Sequence, residues 1–309
     1  MSAAAVAGVP AVEAAGLAKR YGRTWALRDC TLAIPAGHVV ALVGPNGAGK
    51  TTLLHLAVGL SAPTEGQVRV LGRPAGSADA REGVAFVAQD APLYPRLSVA
   101  DTLHLARNLN QRWDQRRAVS RLAELGIPLD RKAGKLSGGQ QAQLALTLAM
   151  ARQPDLIILD EPLARLDPLA RHDFMASLMA TVAEDGTSLV FSSHVVAELE
   201  RVADYLVVLS GGQLQMAGPV DDLLAGHCVL TGPAAEADVI SQRLRPVHSD
   251  RAGAQAHLLV RRTGRAPAPP GWLAQPVGLE ELVLAYLREP AASALPGPAA
   301  PRPDLRVRS

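Results

Sequence analysis

The amino-acid sequence predicts an α/β fold with a mixed sheet core, an inserted helical subdomain and a small C-terminal α+β appendage. Three observations lead to this prediction. Short apolar runs alternate with helical stretches up to about residue 225, residues 95–134 show helical periodicity alone, and the pattern changes again after about Gly226. Continuous apolar strands that alternate with helices are typical of a sheet covered on both faces.

The core strands are predicted from short runs rich in Val, Ile and Leu. They are Val12–Leu17, Thr31–Ile34, His38–Val43, Gly66–Val70, Val84–Ala88, Leu156–Asp160, Ser188–Ser192 and Tyr205–Ser210. The core and insertion helices are predicted at Lys50–Val58, Val99–Asn108, Arg117–Leu125, Gly139–Ala151 and Leu169–Ala183. No convincing strand falls in Pro95–Gly134, so this stretch is predicted to be a helical subdomain inserted into the α/β core.

The C-terminal appendage is predicted to hold two strands and two helices. The strands are Cys228–Thr231 and His257–Arg261, the helices are Ala235–Leu244 and Leu279–Leu287, and the Pro-rich Ala266–Pro276 lies between. From Pro290 the chain is mostly Pro, Ala and Arg, which leaves little apolar surface to offset the entropy of ordering. The predicted divisions are a flexible N-terminus at 1–10, an α/β domain at 11–225 with its helical subdomain at about 95–150, the α+β unit at 226–289 and a disordered tail at 290–309.

Composition places the chain among ordinary globular proteins and excludes several classes of site. Hydrophobic residues make up 48% and charged residues 19% of 309 residues, and the net charge of +2 is too small to indicate a nucleic-acid partner. With Cys30 and Cys228 as the sole cysteines, neither a disulfide framework nor a cysteine-based metal site is expected. The N-terminus lacks a signal-peptide pattern, and no apolar run reaches the roughly 18 residues of a membrane span. We therefore expect a soluble chain in a reducing compartment.

The strongest local motif is Gly44-Pro45-Asn46-Gly47-Ala48-Gly49-Lys50-Thr51, which Thr52 follows. It matches the phosphate-binding pattern GxxxxGK[ST], with an apolar strand before it and a helix after it. The glycines let backbone N–H groups turn toward anionic oxygens, and the helix directs its positive end at the same place. Lys50 supplies a full charge toward the β- and γ-phosphates, and the Thr51 hydroxyl can ligate Mg²⁺. The motif predicts a nucleotide-binding loop.

A phosphate loop alone leaves many nucleotide enzymes open. The GTPase alternative requires a guanine-selecting Asn-Lys-x-Asp motif, and no Asn in this chain is followed by Lys. A small-molecule kinase does not account for the motifs that follow.

Two later motifs narrow the prediction. Leu136-Ser137-Gly138-Gly139-Gln140 places a capping serine before a helix that we expect to begin around Gly139, and its glycines leave backbone N–H groups exposed at the positive end of that helix. Leu156–Pro162 is an apolar strand that ends in Asp160 and Glu161. Because strand side chains alternate in direction, the two carboxylates can hold different roles.

The phosphate loop, the serine-glycine motif and the carboxylate pair follow one another along the chain in the order seen in ATP-binding cassette (ABC) ATPases. The sequence resembles this family from about Val12 through Gly218. The resemblance implies a P-loop NTPase cassette that binds ATP and Mg²⁺ and works as a head-to-tail dimer. In such a dimer, Ser137, Gly138, Gly139 and Gln140 of one subunit bind the γ-phosphate held by the phosphate loop of the other.

The resemblance also implies roles for single residues. Asp160 corresponds to the acid that positions Mg²⁺ through water, Gln89 to the glutamine that contacts Mg²⁺, and Glu161 to the general base for the attacking water. His194 corresponds to the switch histidine near the γ-phosphate. Two further matches complete the set: Asp167 is placed in the loop that crosses the dimer interface, and Tyr21 is placed like the aromatic that stacks on adenine.

Two positions depart from the family pattern. Gln143 stands where the family usually has Arg, and Ala164-Arg165 stands where a small hydroxyl residue and Gly are common. Neither position performs the chemistry directly. We expect an active ATPase. The properties that these two departures can alter are its turnover rate and the closure of its dimer.

The biological role predicted from the resemblance is that of an ABC transporter ATP-binding subunit. The chain carries a single cassette, and its stretch Leu93–Val99 resembles the region that receives a permease. The C-terminal appendage is similar to that of drug-export-type chains, which serve a separate permease. The prediction is thus a homodimer or heterodimer, peripheral on the cytoplasmic face of the plasma membrane, without a nucleic-acid partner. The alternative is a soluble cassette that acts on ribosomes or nucleic acid, against which the 3% aromatic content speaks. The transported substrate is not encoded in this chain.

Overall fold

Secondary structure in this computed structural model is described for residues 8–90, 92–164, 166–196, 199–262 and 268–292. The strands are β1 (Val12–Tyr21), β2 (Thr24–Ile34), β3 (Val39–Val43), β4 (Glu65–Val70), β5 (Arg73–Pro74), β6 (Val84–Val87), β7 (Leu156–Leu159), β8 (Ser188–Ser193), β9 (Tyr205–Ser210), β10 (Gln213–Pro219), β11 (His227–Pro233), β12 (His248–Ala252), β13 (Gln255–Arg261) and β14 (Leu273–Gln275). The α-helices are α1 (Lys50–Ala57), α2 (Ala78–Gly83), α3 (Val99–Leu109), α4 (Gln115–Glu124), α5 (Gly138–Ala151), α6 (Pro168–Asp185), α7 (Val220–Ala225), α8 (Ala237–Leu244) and α9 (Leu279–Arg288).

A six-stranded mixed sheet forms the centre of the molecule, in the order β10-β9-β3-β8-β7-β6. All neighbouring pairs from β9 to β6 are parallel, and β10 adds to the edge as an antiparallel strand. In a parallel sheet the carboxyl ends of the strands meet at one edge, where ligand sites of open α/β sheets lie. The loops after β3, β6, β7 and β8 therefore lie side by side.

The central sheet is buried on both faces, as the apolar runs predicted. In β3, Val39, Ala41 and Val43 pack into one hydrophobic cluster with Phe174 of α6. Val40 and Leu42, which point the opposite way, pack into a second cluster between this sheet and the N-terminal antiparallel sheet, whose order is β2-β1-β4-β5. Burial on both faces explains why β3 reads as an unbroken apolar run.

The inserted segment consists of α3, α4 and α5 around a cluster of its own. Ser98 begins α3 in a capping box with Asp101, whose side chain accepts from the Ser98 backbone N–H. The Asp114 N–H, at the start of α4, donates to the carbonyl of Ala151 at the end of α5, at 2.7 Å. The start of α4 therefore lies against the end of α5, and residues 125–137, which include a 3₁₀ turn at Ala133–Lys135, lead from the end of α4 to the start of α5.

The C-terminal segment forms a four-stranded antiparallel sheet in the order β12-β13-β11-β14. One face carries α8 over Cys228, Leu230 and Leu258. The opposite face, with Val229 and Leu259, joins α9 and the α/β core in the larger hydrophobic cluster. Because that cluster is continuous, the appendage shares apolar core with the cassette, and the boundaries drawn at residues 10, 225 and 289 stay predictions.

Several elements differ from the sequence prediction, and the differences follow burial. Strand β1 runs on to Tyr21 and β2 begins at Thr24, because a hairpin with one exposed face admits charged residues. Strands β5, β10, β12 and β14 were not predicted, and neither were the short helices α2 and α7. All four residues after His248 in β12 and all three of β14 are exposed, so neither strand shows an apolar pattern.

The ends of other elements move by a few residues. Helix α8 begins at Ala237, after a 3₁₀ turn at Ala234–Glu236, rather than at Ala235. Residues 290–292 form a further 3₁₀ turn where the disordered tail was predicted to begin. The rest of that tail and residues 1–7 lie outside the described residues. Within the described ranges, no helix combines the length and apolar character needed to cross a membrane.

Candidate functional site

The loop between β3 and α1 is shaped by its glycines. Gly49 has φ +101° and stands directly before α1 without a side-chain cap, so the first N–H groups of the helix have no partner from a capping side chain. A Cβ on Gly49 would lie 2.6 Å from the Ala26 carbonyl. Gly44 is needed for space rather than for φ, since its Cβ would lie 2.3 Å from the Leu209 carbonyl. The loop can therefore present a row of N–H groups to an anion.

Lys50, the first residue of α1, folds back over this loop. Its Nζ donates to the Gly44 carbonyl at 2.7 Å and to the Pro45 carbonyl at 3.4 Å. Only 6% of its side chain is exposed, and it forms an ion pair with Glu161 Oε1 at 3.3 Å. A buried ammonium needs such partners to offset lost hydration. The predicted phosphate-loop cation thus lies against the predicted general base.

Asp160 and Glu161 follow β7 and diverge, although not by strand alternation, since the strand ends at Leu159. Glu161 has φ +48°, in the left-handed region of backbone conformation that residues other than Gly seldom adopt. Asp160 is 2% exposed, and Glu161 projects toward the phosphate loop instead. The reversal of the backbone after the strand, rather than the pleat, separates the two carboxylates.

Ser192 connects both of these residues and was not assigned a role from the sequence. Its Oγ donates to Asp160 Oδ1 at 2.7 Å and accepts the Glu161 backbone N–H at 2.8 Å. Leu159 pairs with Phe191, so the register of β7 and β8 places Ser192 beside Asp160. The available signal in the sequence was the pair Ser192-Ser193, which follows the apolar residues Leu189–Phe191 and precedes His194.

His194 follows β8 and meets Glu161 from the other side. Its Nδ1 lies 2.6 Å from Glu161 Oε2, and a carboxylate can only accept, so the ring carries its proton on Nδ1. Half of the His194 side chain is exposed, whereas only 10% of Glu161 is. Glu161 is therefore held by a cation on one oxygen and by an imidazole on the other.

The predicted Mg²⁺ ligands all carry hard oxygen donors. Thr51 lies in the first turn of α1, next to the predicted nucleotide-binding residue Thr52, and Gln89 lies two residues beyond β6 rather than at its end. Asp160 is fixed by Ser192 and by its own N–H, which donates to the Val87 carbonyl at 2.9 Å. The described residues contain no cluster of three His, Cys, Asp or Glu suited to a metal. One carboxylate with a hydroxyl and an amide suits a cation that takes most ligands from water and phosphate, as Mg²⁺ does.

The serine-glycine motif lies at the start of α5, which begins at Gly138, one residue earlier than predicted. Ser137 caps the helix in a capping box with Gln140. Beside it, Asp167 caps α6 by accepting from the N–H groups of Leu169 and Ala170. The two helix starts touch, because a Cβ on Gly139 would lie 3.3 Å from that of Ala170. Arg165, the second residue of the departure Ala164-Arg165 that precedes Asp167, lies outside the described residues.

This second set makes no direct hydrogen bond to the phosphate loop among the described residues, since none joins 137–140 to 44–52. A cleft of about 50 Å³ instead lies between Gln89, Gly138 and Pro162. The structure brings Lys50, Asp160, Glu161 and His194 together. The hydrogen bonds of the Ser137, Gln140 and Asp167 side chains instead stay within their own helix starts.

Tyr21 ends β1 with half of its surface exposed. The Lys19 ammonium lies 5.1 Å from the centre of its ring. The hairpin returns through β2, where Ala26 approaches Gly49 of the phosphate loop. Tyr21 is therefore a half-exposed aromatic ring, with the Lys19 ammonium over it, on a hairpin that packs against this loop.

Comparisons with known proteins agree on one family. A family profile described as ABC transporter matches residues 27–164. The chain is 36% identical over 210 residues to the aliphatic sulfonates import ATP-binding protein SsuB 2 of Pseudomonas aeruginosa, covering 67% of this chain and 74% of that protein. It is 34% identical to the sulfate/thiosulfate import ATP-binding protein CysA of Escherichia coli strain K12, covering 69% and 61%. An uncharacterised ABC transporter ATP-binding protein of Nostoc sp. is 33% identical, covering 65% and 62%. The matched region thus spans less than two-thirds of the latter two relatives.

Solved structures share the fold. The ATP-binding subunit of an ABC transporter superposes with a TM-score of 0.63 at 28% identity, over 69% of this chain and 92% of that one. The ATP-binding cassette MJ0796, in a dimeric post-hydrolysis state bound to ADP and Pi, superposes with a TM-score of 0.61 at 26% identity, over 68% and 98%. These matches confirm the predicted P-loop NTPase cassette.

Proposed function

The chain belongs to the ATP-binding proteins of the ABC transporter family, and on that basis we propose that it hydrolyses ATP to drive a membrane permease carried on a separate chain. The observation that carries the proposal is the convergence of Lys50, Asp160, Glu161 and His194 at one sheet edge. A phosphate-binding loop, a buried carboxylate and a second carboxylate held between a cation and an imidazole form a constellation suited to phosphoryl transfer.

We assign the role of general base to Glu161. Its two oxygens are directed by Lys50 and His194, so the side chain has a fixed orientation before a water arrives. Once the γ-phosphate attracts the Lys50 ammonium, Glu161 Oε1 is free to accept a proton from the attacking water. His194 keeps its contact with Oε2 and stabilises the charged form by its Nδ1–H.

The remaining side chains bind and orient the nucleotide. Backbone N–H groups of the phosphate loop and of the first turn of α1 cradle the phosphates, with Lys50 as the charge. Tyr21 offers its exposed ring to the adenine. Mg²⁺ would be held by the Thr51 hydroxyl, the Gln89 amide and, through water, by Asp160. Bound there, it would neutralise charge on the phosphates. Ser192 keeps the Asp160 carboxylate in place for that contact.

We further propose a head-to-tail dimer that encloses two ATP molecules. The Ser137 and Asp167 side chains cap the starts of α5 and α6 and make no hydrogen bond to the phosphate loop of their own chain. These two helix starts gain a ligand if they meet the phosphate loop of a second cassette. The solved cassette MJ0796 is described as dimeric, which supports this arrangement. Whether the second cassette is a copy of this chain or a different one is decided by purification of the assembly.

The transport role places the chain peripherally on the cytoplasmic face of the membrane, through the permease. The C-terminal appendage resembles that of drug-export-type subunits and predicts the export direction. The two named relatives whose names state a direction are import proteins, so the export direction stays a prediction from the appendage alone. The alternative of a ribosome- or nucleic-acid-bound cassette has no support in these names. Vesicle transport assays with the co-purified permease decide the direction.

The experiment that tests the proposal compares wild type with Glu161→Gln and Lys50→Ala. We expect Glu161→Gln to keep ATP binding and to accumulate an ATP-dependent dimer on size-exclusion chromatography, with turnover reduced by about 10²–10⁴-fold. Lys50→Ala should lose both binding and turnover. Normal hydrolysis by Glu161→Gln would show that the base is wrongly assigned. Co-purification from native membranes without any multi-spanning chain would overturn the transport role.

A further inference from the structure

Arg121 of α4 reaches across to α5 and binds two positions one turn apart. Its Nη2 donates to Gln143 Oε1 at 3.0 Å and its Nε donates to Thr147 Oγ1 at 3.1 Å. The Thr147 hydroxyl donates in turn to the Gln143 carbonyl at 2.7 Å, which leaves its lone pairs for the guanidinium. Residues four apart lie on the same face of a helix, so one rigid planar group grips one face of α5 at two points.

Arg121 is an unusual choice for this position. Burial lowers the pKa of its guanidinium. Across the described ranges of the chain, no carboxylate lies within ion-pair distance of it. Its two side-chain partners are a neutral amide and a neutral hydroxyl. The Glu124 charge acts on the guanidinium without a close ion pair. Since such a pair is absent among the described residues, the two directional hydrogen bonds are the direct contacts that offset the cost of burial.

Helix α5 needs such contacts, because it is apolar almost all round. Leu146 and Met150 pack into the large core cluster, while Leu144 packs into the separate cluster of the inserted segment. The buried residues of α5 are apolar except for Gln143 and Thr147. Because apolar burial is non-directional, these two side chains offer the directional contacts that can fix the rotation of the helix about its axis. The two hydrogen bonds from Arg121 supply that directional constraint.

The rotation of α5 determines where its first turn points. Ser137 caps the helix. In the proposed dimer, the N–H groups of Gly138 and Gly139 point at the γ-phosphate of the ATP that is bound to the phosphate loop of the opposite subunit. The body of α4 is itself held to the end of α6, since Arg117 pairs with Asp185 at 2.7 Å. A constraint therefore runs from α6 through α4 to α5.

We propose that Arg121 is a positioning residue for ATP hydrolysis, which sets the rotation of α5 and thereby the aim of the Ser137–Gly139 turn. This inference rests on the proposed function. It also explains the departure noted at Gln143: the side chain at this position serves as the acceptor for a guanidinium that comes from α4.

The test uses the full chain with three variants. Arg121→Met keeps the apolar stem and removes the donors. The double variant Arg121→Gln with Gln143→Arg transposes guanidinium and amide across the same contact. Arg116→Ala, an exposed arginine of the same helix, is the matched control.

We expect Arg121→Met to lower kcat by between about tenfold and a hundredfold, the loss typical of misplaced catalytic geometry, with KM for ATP changed less than about threefold. In the Glu161→Gln background, Arg121→Met should weaken ATP-dependent dimerisation, while ATP binding by the monomer stays unchanged. Restored kcat and dimerisation in the double variant would support the proposal, and Arg116→Ala should match wild type.

Hydrogen–deuterium exchange separates this inference from the proposed function. We expect amides 138–142 to exchange faster in Arg121→Met than in wild type and to regain protection in the double variant, whether or not ATP is hydrolysed. A wild-type chain without any ATPase activity would overturn the proposed function alone. Unchanged exchange and unchanged kcat in Arg121→Met would overturn the role of Arg121, as would a double variant that folds but stays as slow as Arg121→Met.

Discussion

The Ser192 hydroxyl donates a 2.7 Å hydrogen bond to the buried carboxylate of Asp160. The same oxygen accepts the backbone N–H of Glu161 at 2.8 Å, at the residue where the chain turns into the left-handed region. One side chain of β8 thus holds both acidic residues that follow β7. Hydrogen bonds to charged groups contribute about 1.5–3 kcal/mol, so this contact is large enough to influence the geometry of the site.

We predict that Ser192→Ala lowers kcat for ATP by about tenfold, the factor that corresponds to ~1.4 kcal/mol of lost transition-state stabilisation. The change leaves the Glu161 N–H unpaired and lets the Asp160 carboxylate move. Steady-state ATPase assays measure it. The control is Ser188→Ala at the opposite end of the same strand, which removes a contact to the Gly37 N–H. Equal rates for Ser192→Ala and Ser188→Ala would contradict the assigned role.

Gly44→Ala should abolish ATP binding or weaken it by more than about tenfold. Its Cβ would lie 2.3 Å from the Leu209 carbonyl, and backbone atoms cannot move away as a side chain does, so the loop itself has to shift. Isothermal titration with ATP gives the affinity. Gly37→Ala is the control, because Gly37 has φ +77° but open space around it. That change should cost stability, on the order of 1–2 kcal/mol, without weakening ATP binding.

Asp167→Ala and Ser98→Ala each remove the N-cap of a helix. Both should lower the free energy of unfolding by about 1 kcal/mol, because the freed N–H groups lose their acceptor. Only Asp167 lies on the surface that we expect to face a second cassette, so only Asp167→Ala should reduce ATPase activity and ATP-dependent dimerisation. Urea unfolding and ATPase assays on the two variants separate the effects. A similar loss of activity in Ser98→Ala would show that α6 capping has no special role.

His227 is predicted to make stability depend on pH. Burial lowers the pKa of this imidazole, and the Arg261 charge lowers it further. Its Nδ1 bonds the Leu223 carbonyl at 2.6 Å and its Nε2 bonds the Tyr286 hydroxyl at 2.8 Å, a pairing suited to the neutral ring. Below the ordinary pKa of about 6.5, His227 binds a proton in the unfolded chain but stays neutral in the folded chain until the pH falls further. The free energy of unfolding therefore falls as pH falls.

Urea unfolding of wild type and His227→Gln at pH 7.5, 6.5 and 5.5 (pH values that bracket the ordinary pKa of about 6.5) measures this dependence. We expect wild type to lose more stability than His227→Gln between the highest and the lowest pH. His172→Gln is the control, since 80% of the His172 side chain is exposed. It should follow wild type. Parallel pH dependences for wild type and His227→Gln would rule out the role of His227.

Much of the fold was predictable because burial leaves a local pattern. The apolar strands β3, β7 and β9 were predicted to within a residue or two, since each is covered on both faces. The exposed strands β12 and β14 carry no such pattern, and pairing with β13 and β11 alone makes them strands. Likewise, Ser192 and Arg121 could not be recognised as parts of the site, because their partners lie more than twenty residues away in the chain.

What the sequence by itself determined is the local chemistry of the chain. Three motifs carry this chemistry: the loop from Gly44 to Thr51, the capping serine before two glycines, and the carboxylate pair after an apolar strand. Each motif fixes which functional groups are available and which backbone conformation is needed to present them. Only the tertiary structure decided which of these groups meet. The strand order β9-β3-β8-β7-β6 places the loops after β3, β7 and β8 beside one another, so that Lys50 and His194 reach Glu161. Periodicity is a property of neighbouring residues, whereas strand order depends on packing between segments far apart in the chain.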